Sequence, residues 1–289
     1  MSEALRPLRS VLYMPAANAR ALEKAQTIPA DAIISALEDA VAPDAKPQAR
    51  EQACAAASSG LYGNRLLTIR CNGLDTPWGA DDIAAAAKVG PAAVVIPKVS
   101  GVAALAEVAR QLDAAGAPDH TRIWAMVETP VAIFDVRAIA AFERVSVLVM
   151  GTNDLAKELR AQMVPSRAPL VPHLATALLG AREAGKAILD GVYNDVRNAE
   201  GFAVEARQGF EMGFDGKTLV HPSQVEPTNE IWAPSAEEID HARRVIEAFE
   251  AATAEGRGVV TVDGRMIENL HVDNARRALA VADAIAELG

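Results

Sequence analysis

The sequence predicts an α/β fold, a closed (β/α)8 TIM barrel with a helical extension at its C-terminus. Three observations carry that expectation. Short apolar runs alternate with longer amphipathic ones along most of the chain. The short runs are apolar throughout rather than at every second residue, the pattern of parallel strands buried on both faces. There are eight of them, the number that closes such a barrel. A chain of 289 residues that is 51% hydrophobic can fill that core, and barrels of this kind reach this length as one domain.

The strand candidates begin at Ser10 (SVLYM), Ala32 (AIISAL), Leu66 (LLTIRC), Ala92 (AAVVIPKV), Arg122 (RIWAMVE), Val145 (VSVLVMG), Lys186 (KAILDGVY) and Lys217 (KTLV). The helical runs between them include KPQAREQACAAASS, GVAALAEVARQLDAAG, PVAIFDVRAIAAFE, HLATALLGAREAG and GFAVEARQGFEMG. Gly116, Gly185 and Gly213 stand where such helices end and need a left-handed residue. An open doubly wound sheet is the alternative. Its first turn would be rich in glycine, and here that turn reads MPAANAR.

The barrel is complete by Val220, so its bounds are read as 1–222. The rest, 223–289, holds a long polar helix (SAEEIDHARRVIEAFEAATAEG), a hairpin (GRGVVTVDGR) and a last helix (DNARRALAVADAIAEL). No linker separates it from the barrel. It is expected to act as a lid, a subunit contact, or both.

The formal net charge of −10 excludes a global basic footprint and with it nucleic acid as a partner. It leaves room for a small anion, which needs only two or three well-placed cations. Cys54 and Cys71 are no disulfide framework and read as small apolar fillers. The opening MSEALRPLRS has no apolar signal region, and no apolar run is long enough to span a bilayer. The expectation is a soluble, cytoplasmic protein with no membrane partner.

A TIM barrel carries its active site at the C-terminal ends of its strands. The polar residues there are Glu38 and Asp39, Arg70 and Asn72, Lys98, Glu128, Asn153 and Asp154, Asp190 and Tyr193, and His221. Glu128 and Asp154 end neighbouring strands, so their carboxylates can converge. Two carboxylates without clustered Cys or His suit a hard cation, Mg²⁺ or Mn²⁺. The competing reading is that each region merely starts a helix; with so many other polar strand ends, the metal reading is preferred. Arg70 offers a bidentate fork for a carboxylate, and the same residue can pair with Glu38 or Asp39. That acid pair can serve as general base, as support for metal-linked water, or as a clamp on Arg70. Lys98 could form a Schiff base, but Pro97 and the nearby acids favour an ion pair. His221 reads as structural. Neither a nucleophile triad nor a phosphate-binding loop is present.

Seven segments then occur in order over more than 200 residues: RSVLYMPAANARALEKA, ALEDAVAPDAKPQAR, TIRCNGLDTPWG, VVIPKV, VETP, GTNDLAKEL and GFDGKTLVHPSQV. Together they resemble the citrate lyase β-subunit-like branch of the HpcH/HpaI aldolase family, which includes malyl-CoA, β-methylmalyl-CoA and citramalyl-CoA lyases. The resemblance implies that Glu128 and Asp154 bind Mg²⁺ and that Arg70 holds the carboxylate of an oxo-acid. Gly151 and Thr152, in the same segment as Asp154, are expected to line the substrate. CoA, as part of the substrate, would lie near the opening segment, which brings Arg9 and Lys24 into view. The CoA lyases of the family carry an Asp in a C-terminal MID segment; this chain reads MIENL, with Glu268 at that place and Asp263 as a substitute.

The activity so implied is a Mg²⁺-dependent carbon–carbon lyase. It would cleave a 3-hydroxyacyl-CoA to an acyl-CoA and glyoxylate or pyruvate through an acyl enolate. Glu38 or Asp39 would handle the hydroxyl proton. Glu268, from a neighbouring subunit of a homotrimer or hexamer, would protonate the enolate carbon. The alternatives are a free-acid aldolase on 4-hydroxy-2-oxo acids, a malyl-CoA-type thioesterase and a non-catalytic citrate lyase-like subunit.

Overall fold

Parallel pairing runs unbroken around all eight expected strand positions. The structure, a computed structural model, describes residues 6–288; the opening residues 1–5 lie outside the described residues. The strands are β1 (Ser10–Pro15), β2 (Ala32–Ala36), β3 (Leu66–Arg70), β4 (Ala93–Ile96), β5 (Arg122–Val127), β6 (Val145–Met150), β7 (Ala187–Asp190) and β8 (Gly216–Leu219). Each pairs with the next, and β8 closes on β1, with Val11 opposite Thr218. The fold is a (β/α)8 TIM barrel.

The helices around the barrel are α1 (Ala19–Ala25), α2 (Lys46–Ser58), α3 (Gly79–Val89), α4 (Val102–Ala114), α5 (Pro130–Phe134), α6 (Val136–Ala141), α7 (Thr152–Leu159), α8 (Val171–Glu183), α9 (Ala199–Met212) and α10 (Val225–Ile231). The run PVAIFDVRAIAAFE is two helices rather than one. Asp135, at φ −94° and ψ 5°, turns the chain between α5 and α6. Gly116, Gly185 and Gly213 take φ of 76°, 65° and 100°, the left-handed geometry a helix end requires.

Inward side chains in successive layers fill the barrel: Val11, Ile34, Val95, Trp124, Met126, Val149 and their neighbours. Side chains two residues apart on a strand share a face. The next inward positions toward the mouth are therefore Tyr13, Ala36 and Glu128, one step above Val11, Ile34 and Met126. The core layers and the site are successive rungs of one ladder.

One compact unit spans Leu8–Ile231 and takes in a helix beyond the last barrel strand. That helix is α10, which buries Val225 and Thr228 against the barrel. Its Asn229 accepts from Ser10 Oγ at 2.7 Å and donates to the Pro29 carbonyl at 2.8 Å.

A second unit contains the segment from Trp232. In it, α11 (Ala236–Ala254) starts at a capping box of Ser235 and Glu238. A hairpin of β9 (Val260–Val262) and β10 (Arg265–Ile267) follows, then α12 (Asn269–Leu288). The hairpin turns at Asp263–Gly264, both at positive φ (49° and 77°), as a two-residue turn between right-twisted strands demands. Val245, Phe249, Ile267 and Val272 form this unit's own core. Among the described residues, no helix is long and apolar enough to cross a membrane.

Candidate active site

The C-terminal mouth of the barrel holds a cavity of about 440 Å³. Tyr13, Asp39, Arg70, Glu128, Asn153 and Asp154 line it, with Gly151 and Thr152 at one side. Seven of the expected site residues thus share one cavity: Asp39, Arg70, Glu128, Gly151, Thr152, Asn153 and Asp154.

Glu128 follows β5 and is 2% exposed. Helix α5 takes its N-cap from Thr129, whose side chain accepts from Ala132 N. The Glu128 carboxylate is therefore free of capping and turns into the cavity. Its Oε1 accepts from the Lys98 backbone N–H at 2.6 Å. Burial, and next the charges of Glu38 and Asp154, push its carboxyl up to about 7, against the pull of the Lys98 N–H and Arg70. A buried carboxylate facing another, with so little positive charge of its own, is short of a counter-ion. Asp154, in the first turn of α7, is half-buried beside it.

Two carboxylates fit a hard divalent cation. Among the described residues, no group of three or more His, Cys, Asp or Glu forms a metal cage. A cation held here would complete its shell with water and substrate, the arrangement Mg²⁺ prefers. Gly151 makes room for the Glu128 carboxylate: a Cβ there would collide with its Oε2. Gly191 does the same for Thr152 across the mouth.

Arg70 ends β3 opposite Ala36 of β2. Its Nη1 lies 3.2 Å from Glu38 Oε2, and its guanidinium stacks on the Tyr13 ring at 5.1 Å. Its buried Nε finds no partner. A buried N–H without an acceptor is costly, and a substrate carboxylate would satisfy it. Burial alone would weaken the charge on Arg70; Tyr13, Glu38, Asp39 and Glu128 outweigh it and hold the guanidinium charged.

The acid pair divides. Glu38 is buried and bridges Arg70 and Lys98 Nζ, the latter at 3.2 Å. Asp39 is exposed in the cavity wall. Lys46 fixes the ends of β2 and β3 behind them, donating to the Leu37 carbonyl at 2.9 Å and to Asn72 Oδ1 at 2.7 Å. Asn72 is thus a tie between strand ends rather than a wall of the cavity.

Several other positions lie elsewhere. Arg9 precedes β1 and so sits at the opposite end of the barrel, where both its forks and its backbone N–H are bound to Asp31 (2.7–2.9 Å). Lys24 is in the last turn of α1, which runs down from the mouth, and points to solvent at that same lower end. Neither cation is among the residues that line the cavity. Asp190 is also absent from it. It is fully buried behind the mouth, 2.7 Å from Arg167 Nη1 and 3.0 Å from Lys217 Nζ. Burial would raise its carboxyl, but those two cations hold it below the usual carboxylate range. His221 caps the short turn Pro222–Gln224. Cys71 is buried with its thiol pushed well up by burial, as befits a core filler. In the C-terminal unit, Asp263 is held by Arg244 and His241, each at 3.1 Å. Glu268 is half-buried ahead of α12, where its N–H approaches His271 Nδ1 at 3.2 Å.

Tyr13 and Asn194 are polar wall residues outside the set of expected site residues. Tyr13, in the apolar run SVLYM, is the inward residue after Val11, and that parity was the available signal. Burial, reinforced by Glu128 and Glu38 and opposed by Arg70, pushes its phenol up to about 12. Asn194, after β7, exchanges two amide hydrogen bonds with Asn153 at 2.8 and 3.2 Å. No strand-end reading reaches it.

The model of the HpcH/HpaI aldolase/citrate lyase family matches residues 9–222, the stretch that carries this cavity. The chain belongs to that family. It is 47% identical to a (3S)-malyl-CoA thioesterase of Cereibacter sphaeroides, over 100% of this chain and 99% of that protein. It is 36% identical to the citrate lyase subunit beta of Escherichia coli, over 96% of this chain and 94% of that one. A solved structure of CitE from Mycobacterium tuberculosis, in complex with magnesium, acetoacetate and coenzyme A, matches with a TM-score of 0.79 at 28% identity. That match covers 97% of this chain and 99% of the other.

Proposed function

We propose that this member of the HpcH/HpaI family is a Mg²⁺-dependent enzyme acting on malyl-type CoA thioesters, and that it hydrolyses the thioester to the free hydroxy-dicarboxylic acid and CoA. The observation that carries the reading is the full-length likeness to (3S)-malyl-CoA thioesterase, on a chain whose mouth pairs two cation-seeking carboxylates with an Arg short of an acceptor.

Arg70 grips the distal carboxylate of the substrate, with the buried Nε and one Nη forming the fork. Glu128 and Asp154 would hold the cation, which when bound would supply Lewis-acid stabilisation of negative charge developing on substrate oxygen. Asp39 is the proton acceptor, because Glu38 is already shared by Arg70 and Lys98 while Asp39 makes no such pair among the described residues. A water placed by Asp39 gives up a proton to it and attacks the thioester carbonyl carbon. The C–S bond then breaks, and the CoA sulfur leaves and takes up a proton. Holding the acyl group at both ends supplies orientation, a term that can reach several kcal/mol. Glu268 is assigned to the reaction as an acid or base supplied by another protomer of a homo-oligomer, and the working compartment is taken to be the cytoplasm.

The second reading is carbon–carbon cleavage of the same substrate to an acyl-CoA and glyoxylate or pyruvate. The likeness to citrate lyase subunit beta favours it. The test is thiol release from (3S)-malyl-CoA. Release that requires Mg²⁺ and collapses in Asp39→Asn supports hydrolysis at this site. Full release in the presence of EDTA contradicts it.

A further inference from the structure

Lys98 follows β4 at the mouth, and its backbone stands at φ 49°. That is the left-handed region, which a residue with a Cβ enters at a cost; glycine or asparagine would occupy it more cheaply. Both ends of the residue show what the conformation achieves. Its N–H is turned onto Glu128, donating to Oε1 at 2.6 Å. Its ammonium reaches Glu38 Oε1 at 3.2 Å, and the other oxygen of Glu38 lies 3.2 Å from Arg70 Nη1. One strained residue thus touches the carboxylate assigned to the cation and, through Glu38, the guanidinium assigned to the substrate.

We propose that Lys98 is a positioning residue that keeps Arg70 available to a substrate carboxylate. Glu38 is shared between two cations. Removing the ammonium leaves Arg70 as the partner of its whole charge, and Glu38 then competes with the substrate for the same fork. The contact to Glu128 is independent of this, because it comes from the backbone and survives in any residue that accepts a left-handed φ. The inference rests on the roles given above to Arg70 and Glu128.

The variant that separates the two arms is Lys98→Gly, which keeps the N–H, relieves the backbone and deletes the ammonium. Mg²⁺ binding by calorimetry should stay within about twofold of wild type. The KM for (3S)-malyl-CoA should rise about tenfold with kcat nearly unchanged, the signature of lost binding rather than lost chemistry. Lys98→Arg should recover most of the loss. Adding Glu38→Gln to Lys98→Gly removes the competitor, so the double variant should bind substrate about fivefold better than the sum of the single effects predicts. An unchanged KM in Lys98→Gly, or strictly additive effects at 98 and 38, would overturn the inference alone. A wild-type protein that binds no Mg²⁺ and turns over no thioester would overturn the site assignment, and this inference with it.

Discussion

Gly151 and Glu128 share one space: a Cβ on residue 151 would fall on Oε2 of Glu128. The glycine follows β6, beside the strand that delivers the carboxylate, so its missing side chain is what allows Glu128 to enter the cavity. Gly151→Ala should displace that carboxylate and lower Mg²⁺ affinity at least about tenfold. Activity should fall with it, because each 1.4 kcal/mol or so of misplacement is a decade in rate. Far-UV circular dichroism should show the barrel intact. Unchanged Mg²⁺ binding would mean that Glu128 has another way in, or another job.

The pH dependence of metal binding follows from Glu128. Without the cation its carboxyl is raised to about 7, so the folded protein holds a proton there that the unfolded chain has lost. Stability of the metal-free protein should therefore fall as pH rises from the ordinary carboxyl range to about 7, and level off above it. Mg²⁺ must displace that proton. Its affinity should rise across the same window, with proton release that shrinks as pH passes 7. Calorimetry in buffers of differing ionisation enthalpy reads both. Affinity that is flat with pH would place the cation away from Glu128.

Arg70→Lys keeps a positive charge and removes the fork. A point ammonium cannot satisfy a carboxylate at two oxygens, and it cannot stack on Tyr13 in the way the guanidinium does. KM for the thioester, or for an oxo-acid in the condensation direction, should rise by about two orders of magnitude, as loss of a bidentate charged contact warrants. Steady-state kinetics with wild-type values would reduce Arg70 to a structural partner of Glu38.

Much of this was legible before any coordinates. All eight strands sit where continuous apolar runs placed them, because strands buried on both faces leave an unambiguous pattern. One rule, that a barrel works at the C-terminal ends of its strands, singles out Glu128, Asp154 and Arg70, which line the cavity. The same rule could not sort strand-end residues by direction. Asp190 obeys it yet points away from the cavity into Arg167 and Lys217, and Asn72 is spent on Lys46 and Asp82. Arg9 precedes its strand rather than following it, so that rule does not reach it. Tyr13 was hidden inside an apolar run, and Asn194 in a loop whose path no local pattern fixes.

Glu268 gives the next prediction. It lies in the segment where the sequence resemblance expects an acid, and the proposed function assigns it to a site built mainly by another protomer. Glu268→Gln should lower turnover strongly while sparing Mg²⁺ binding, and Glu268→Asp should keep part of the activity. Mixing inactive Glu268→Gln with inactive Asp154→Asn protomers should restore some turnover, since mixed oligomers contain sites with both wild-type halves. No rescue, with subunit exchange verified by mass, would remove Glu268 from the partner's site.

The most direct test of the whole account is the identity of the products from (3S)-malyl-CoA with Mg²⁺ present. Hydrolysis predicts malate and free CoA in equal amounts, with no glyoxylate, and loss of both in Glu128→Gln and Arg70→Lys proteins that remain folded. Glyoxylate and acetyl-CoA in equal amounts, with no free thiol, would contradict hydrolysis and establish carbon–carbon cleavage at the same mouth.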